Sequence, residues 1–183
     1  MTAPSPMIGI SQRIGHSRSH RISHTLGLAC SIAASAGLLS GCMGPMPTPM
    51  AALNRQLAMA GTNRAPSLSG RWLAVITGRG GRDQVLLLDV ARNAPVQVPG
   101  LNRGDAQPIS VGVDASGERL ALVRQLEGRT ELVLYRRSLM SLQPIPMQPA
   151  GVPSQVTMRA DGKEIAVQVS REGLWQIDLI ALP

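Results

Sequence analysis

Aromatic residues are almost missing from this sequence. Phe does not occur, and Trp72, Tyr135 and Trp175 are the only aromatic side chains. A core must therefore be built from Leu, Val, Ile, Ala and Met, and we expect both tryptophans to lie within it. Few rings are left at the surface to stack on bases or sugars, which argues against a nucleic-acid partner and weakens the case for a glycan site.

Acidic residues are absent from the first 82 positions, since all eleven lie at or beyond Asp83. The net charge of +7 is therefore unevenly distributed. Beyond Cys42 the chain carries 15 Arg and Lys against 11 Asp and Glu, with no dense basic run. Such a surface is only moderately basic and lacks the footprint of a nucleic-acid-binding protein.

Histidine and cysteine are confined to the start of the chain. The three histidines lie within the first 24 residues, and Cys30 and Cys42 are the only cysteines. Without either residue type beyond Cys42, a Ser–His or Cys–His nucleophile pair and a His or Cys metal site are excluded there. No G-x-S-x-G or phosphate-loop motif occurs. We therefore predict no catalytic residue, no metal and no cofactor.

The first 42 residues have the layout of an export signal. Residues 1–24 are basic, and residues 25–39 form an uncharged apolar run that ends at Leu39 and is followed by Ser40, Gly41 and Cys42. These four residues resemble the lipobox of bacterial lipoprotein precursors. In that family the cysteine is joined by a thioether to a diacylglycerol and becomes the N-terminus after cleavage. The resemblance implies lipidation of Cys42 and attachment to a membrane lipid.

This interpretation assigns residues 1–41 to a signal peptide and 42–65 to a lipidated N-terminus and linker. The anchored protein is expected in the cell envelope, at the outer membrane or the periplasmic face of the inner membrane, and Met43 after the cysteine favours the outer one. The alternatives are secretion without lipid and an uncleaved membrane helix. Fifteen apolar residues are shorter than the ~20 that span a bilayer. In the linker, residues 51–59 suit either two helical turns or a lone strand.

Three similar units follow from Pro66 onward. Aligned on Gly70, Gly117 and Gly162, they recur at 47 and 45 residues, the period of a four-stranded propeller blade. Each unit predicts a short strand, a turn at the glycine and two further strands; the first two add a fourth. The predicted second strands are 72–76, 120–123 and 165–169, the third strands 84–90, 131–136 and 174–179, and the fourth strands 96–98 and 142–146. Leu-Ala-Val-like triplets in the second strands place apolar side chains on both sheet faces, as expected of a strand between two neighbouring sheets.

The D-x-S-G or D-G turn, the L-A-V strand and the R-G or E-G turn resemble the repeats of TolB-like β-propellers. The resemblance covers residues 66–183 and implies an all-β fold of three propeller-type blades, at about 66–107, 108–151 and 152–183. Members of the family are typically periplasmic or envelope proteins. The best known is an interaction hub that contacts a peptidoglycan-associated lipoprotein and has an additional α/β domain, for which this chain has no room.

Three blades are fewer than the four or more with which known propellers close. Closure through a homodimer of two half-rings would give six blades, with residues 51–59 supplying the missing outer strand. A compact sheet stack and completion by another protein are the alternatives. We predict a non-catalytic interaction or scaffolding module with an unidentified envelope partner. A small-ligand or glycan binder and a carboxylate-dependent hydrolase or enzyme accessory are the alternative functions.

Several polar residues are better explained by the repeat than by a site. Arg79-Gly80-Gly81-Arg82 fits a hairpin turn better than an anion site. Asp114 and Asp161 occupy equivalent turns, and Asp89 and Asp178 are expected near equivalent strand ends. Because no carboxylate pair departs from the repeat, none is singled out for catalysis.

Overall fold

A computed structural model describes residues 46–183, so Cys42 and the lipobox residues Leu39, Ser40 and Gly41 lie outside the described residues. One helix and eleven strands are present in this part of the chain. In chain order they are α1 (Ala51–Ala60), β1 (Thr62–Ser69), β2 (Trp72–Arg79), β3 (Arg82–Asp89), β4 (Ala94–Val96), β5 (Ala106–Val113), β6 (Arg119–Leu126), β7 (Arg129–Arg136), β8 (Ser141–Pro144), β9 (Val152–Met158), β10 (Glu164–Arg171) and β11 (Leu174–Ala181). None of the helical structure within residues 46–183 is long and apolar enough to cross a membrane.

The strands form three antiparallel sheets in simple up-and-down order. Blade 1 contains β1 to β4, blade 2 contains β5 to β8, and blade 3 contains β9 to β11. The partial propeller predicted from the repeats is therefore confirmed. The central hairpin strands are longer than the apolar runs suggested, because polar residues at their ends continue the antiparallel pairing up to the turns.

The glycines used to align the repeats each lie in a turn between the first and second strands of a blade. Gly70, Gly117 and Gly162 have φ values of 56°, 67° and 71°, a region that other residues avoid. In blade 2 the carboxylate of Asp114 accepts hydrogen bonds from the backbone N–H groups of Glu118 at 2.9 Å and Arg119 at 3.1 Å. The repeated Asp and Gly thus have a structural role in these turns.

The main core lies between blades 1 and 2. Even-numbered residues of β2, from Trp72 to Ile76, pack against buried side chains of blade 2 such as Leu120 and Tyr135. Trp72 is only 8% exposed, which confirms it as a core residue. Two guanidinium groups lie over its indole, with Cζ of Arg71 at 5.1 Å and Cζ of Arg137 at 4.9 Å from the ring centroid.

A second core lies between blades 2 and 3, so blade 2 is packed on both faces. In β6, Leu120 and Leu122 belong to the first core, while Ala121 and Val123 belong to the second. Serines on the innermost strands link the blades as well. The N–H of Val113 donates to Oγ of Ser67 at 3.1 Å, and a matching bond joins blades 2 and 3. The double-sided burial expected of the Leu-Ala-Val-like triplets is confirmed in β6.

Helix α1 lies on the face of blade 1 that points away from blade 2. The side chains of Asn63 and Thr77 share this face and donate hydrogen bonds to α1, to the carbonyl of Leu57 at 2.8 Å and that of Ala60 at 2.9 Å. Leu53 of the helix is buried. α1 therefore contacts β1 and β2 on the face of blade 1 that a preceding blade would cover. Because residues 51–60 are helical, they do not provide the outer strand invoked for a half-ring homodimer; the homodimer itself stays a prediction.

Candidate functional site

The pairing registers identify equivalent positions in the third strand of each blade. Asp89, Arg136 and Ala181 are equivalent because each pairs with the first residue of the strand before it. Counting back two and four residues gives three pairs that point toward the next blade along the chain. These pairs are Val85 and Leu87 in blade 1, Leu132 and Leu134 in blade 2, and Ile177 and Leu179 in blade 3.

The burial of these equivalent pairs differs sharply between the blades. The first two pairs are buried, but Ile177 is 65% exposed and Leu179 is 81% exposed. Trp175 lies on the same face and is 62% exposed. We define Trp175, Ile177 and Leu179 as the apolar row of β11. The prediction that Trp175 is a core residue is wrong, because no sheet packs against this face of β11 among residues 46–183.

The edge of β11 is also unpaired within residues 46–183. In blades 1 and 2 the outer strands β4 and β8 pair with residues 87–89 and 133–136. The equivalent stretch of β11 has no strand beside it in the described part of the chain. Instead, a groove of about 670 Å³ follows the edge, lined by Pro146, Gln148 and residues 177–181. We call this feature the β11 groove.

The carboxylate that lines the β11 groove is neutralised by a neighbouring arginine. Arg171 Nη1 donates to Oδ1 of Asp178 at 2.9 Å, and Nη2 contacts the other carboxylate oxygen. This hydrogen bonding holds the pKa of Asp178 below its usual value. Arg171 also donates to the backbone carbonyls of Pro149 at 2.9 Å and Ala150 at 3.1 Å, so it connects β11 to the segment that forms the other wall. The groove therefore presents apolar side chains and backbone groups with little net charge.

Comparison with solved structures supports the blade architecture. The crystal structure of TolB from Acinetobacter baumannii matches with a TM-score of 0.54 at 14% identity, covering 66% of this chain and 30% of that one. The fold is that of a partial, TolB-like β-propeller. Lower similarity is found to the C-terminal WD40 domain of Sif2, with a TM-score of 0.42, 15% identity and coverage of 67% and 34%. The β-propeller domain of Cps50 (Swd1) from Myceliophteria thermophila gives 0.40, 11% identity and coverage of 66% and 39%.

The chain spans roughly a third of the length of these propellers, from 30% to 39%. No protein-family model matches the sequence. No curated protein matches it either. The similarity to TolB is therefore one of fold.

The glycine-rich turn of this TolB-like propeller joins β2 to β3. Gly80 and Gly81 have positive φ values of 62° and 79°, and Arg79 pairs with Arg82 across the turn, which confirms the hairpin. A cleft of about 390 Å³ lies beside it. Two carboxylates of that cleft are already engaged in ion pairs, Asp83 with Arg64 at 2.7 Å and Asp105 with Arg103 at 2.6 Å.

The repeat carboxylates have structural partners in the TolB-like blades. Asp161 accepts from the N–H of Lys163 at 3.0 Å, much as Asp114 does in blade 2. The expectation that Asp89 and Asp178 lie near equivalent strand ends is wrong, since Asp89 is the last residue of β3 whereas Asp178 lies within β11, at the position of Leu86. Asp89 is buried beside Arg71 and accepts from two turn amides. Among residues 46–183 there is no group of His, Cys, Asp or Glu suited to a metal ion.

The exposure of the apolar row of β11 was not predicted from the sequence. The signal was present as the alternation of Trp175, Ile177 and Leu179 in the last unit, but buried third strands show the same alternation. Only the arrangement of the blades shows that this row has no neighbouring sheet among the described residues.

Proposed function

We propose that this chain is a non-catalytic, lipid-anchored protein of the cell envelope that binds another protein through the last blade. The observation that carries the proposal is the exposure of Ile177 and Leu179, at positions equivalent to residues buried between blades 1 and 2 and between blades 2 and 3. Removing one such side chain from water is worth about 1.5–3 kcal/mol. A partner that covers the row gains this free energy.

The two ends of the blade array favour a single binding surface. Helix α1 already contacts β1 and β2 of blade 1, and two side-chain hydrogen bonds join the helix to this face. Blade 3 has exposed apolar side chains and an open edge at the same time, a combination that marks interaction sites. The binding function is therefore assigned to blade 3.

The anchor is proposed from the sequence. Cys42 follows the lipobox-like residues Leu39, Ser40 and Gly41, and two or more acyl chains give lasting membrane attachment where one does not. Metabolic labelling with palmitate is expected to label the full-length chain, and Cys42→Ser should abolish the label. Cys30→Ser is the matched control and should retain it. Equal labelling of the wild type and Cys42→Ser would contradict the anchor.

Site-specific photocrosslinking in intact cells tests the binding surface. A photoreactive amino acid at Trp175 is expected to give a discrete product with an envelope protein, identified by mass spectrometry. Combining it with Ile177→Lys and Leu179→Lys should remove that product, because two ammonium groups would have to be desolvated at the contact. The thermal midpoint should change little, since both positions are exposed.

Leu139 provides the matched control position because it is 63% exposed but lies in the turn between β7 and β8. The photoreactive residue placed there should not give the product seen at Trp175. The same product from both positions, or a product that persists with both lysines present, would contradict the proposed surface.

A further inference from the structure

We propose that the partner of blade 3 inserts a short, uncharged, extended segment into the β11 groove as the fourth antiparallel strand of that blade. This inference rests on the proposed function and specifies how the partner is recognised. It is carried by three features of the described residues: the direction of the edge backbone groups, the outer strands of the other two blades, and the neutrality of the groove.

The hydrogen-bonding pattern of β11 shows which backbone groups face the groove. The N–H of Leu182 donates to the carbonyl of Lys163 at 2.7 Å, on the β10 side. Because successive residues of an antiparallel strand bond alternately to the two sides, Ile180 and Asp178 also face β10. The backbone groups of Ile177, Leu179 and Ala181 therefore point into the groove and can bond to an added strand.

In blade 2, the outer strand β8 occupies the position at which a strand would be added to blade 3. The N–H of Ile145, just after β8, donates to the carbonyl of Leu132 at 2.9 Å. Leu132 is the register equivalent of Ile177, whose carbonyl faces the open groove. An added strand that repeats the pairing of β8 would lie opposite residues 178–181, with its first residue opposite Ala181 and its third opposite Leu179.

The expected chemistry of the inserted segment follows from β4 and β8, the outer strands of blades 1 and 2. β4 reads Ala-Pro-Val and β8 reads Ser-Leu-Gln-Pro, so both are short, uncharged and contain proline. The one acidic side chain lining the groove, Asp178, is already paired with Arg171. A charged segment would gain no partner at this carboxylate and would lose hydration. The groove therefore suits an uncharged segment with an apolar residue at alternate positions.

Removing one edge donor tests strand addition directly. Ala181→Pro deletes an N–H that faces the groove, and proline is tolerated on an edge strand at such a position. We expect the product captured from Trp175 in the full-length chain to fall by about fivefold or more, the effect of one lost hydrogen bond. Ala181→Val keeps the donor and is expected to retain the product.

A second variant supplies the strand within the chain itself. A copy of residues 138–147, which include β8, is placed after Leu182 instead of Pro183. The added strand should fill the groove, raise the thermal midpoint and remove the product, while a Gly-Ser segment of equal length should do neither. This arm remains informative if Ala181→Pro fails to fold.

The outcomes separate this inference from the proposed function. If the lysine variants of Ile177 and Leu179 abolish the product but Ala181→Pro and the added strand leave it unchanged, the partner covers the sheet face and strand addition is refuted. A product that consists of two copies of this chain overturns the assignment of the segment to another protein. Absence of any specific product at Trp175 refutes both proposals.

Discussion

Replacement of Tyr135 by alanine is expected to lower the free energy of unfolding by about 3–5 kcal/mol, the range for truncating a large buried ring. Tyr135 is fully buried in the core between blades 1 and 2. Its hydroxyl donates a hydrogen bond to the carbonyl of Pro99 at 2.8 Å, in the connection between the two blades. The substitution opens a cavity at a contact that joins neighbouring sheets, and the surrounding strands cannot collapse into it without breaking their pairing.

Tyr135→Phe separates the ring from the hydroxyl. It keeps the packing and removes only the hydrogen bond, at a cost of about 1 kcal/mol. Because Pro99 is exposed, water can replace the lost donor. Urea denaturation followed by circular dichroism measures both variants. A Tyr135→Ala variant no less stable than Tyr135→Phe would show that the ring does not hold the two blades together.

The second large effect is expected at Gly117. A Cβ atom there would lie 2.4 Å from Cδ2 of Trp72, and the φ of +67° is itself unfavourable for alanine. The indole cannot move aside easily because Trp72 is only 8% exposed and both Arg71 and Arg137 lie over its ring. Left-handed strain of about 1–2 kcal/mol and overpacking of about 1–3 kcal/mol together predict a loss of about 3 kcal/mol for Gly117→Ala.

Gly128 is the natural control for this substitution. Its φ is +76°, but no atom lies within 4 Å of the position that its Cβ would take. Gly128→Ala should therefore cost only the strain of about 1–2 kcal/mol. Thermal or urea unfolding of the two alanine variants gives the difference. Equal losses would mean that the indole yields to the added methyl group and that contact with Trp72 does not restrict Gly117.

The sequence predicted the blades because their signals are local. An Asp or Ser ahead of a glycine, followed by an apolar triplet, specifies a turn and a strand wherever the other blades lie. Burial of the third strand is not a local property, because it depends on whether another blade packs against that strand. Val85 and Ile177 occupy equivalent positions, yet only Val85 has a neighbouring blade against it. No pattern within a repeat distinguishes the two.

The segment before blade 1 illustrates a second limit. Residues 51–60 are too few for periodicity to decide between a helix and a strand. In the structure they form a helix, and carbonyls near its end accept hydrogen bonds from Asn63 and Thr77 of blade 1. The offset of Asp178 from Asp89, by contrast, is already present in the sequence, because Asp89 lies 19 residues after Gly70 and Asp178 lies 16 residues after Gly162. The pairing registers agree with it.

Helix α1 also determines how copies of this protein can grow into larger assemblies. An array of blades with two complementary free ends forms a head-to-tail contact, and such a contact propagates into a filament unless it closes. Because α1 contacts β1 and β2 on the face of blade 1 that points away from blade 2, a head-to-tail contact between copies cannot continue through that face while the helix stays in place.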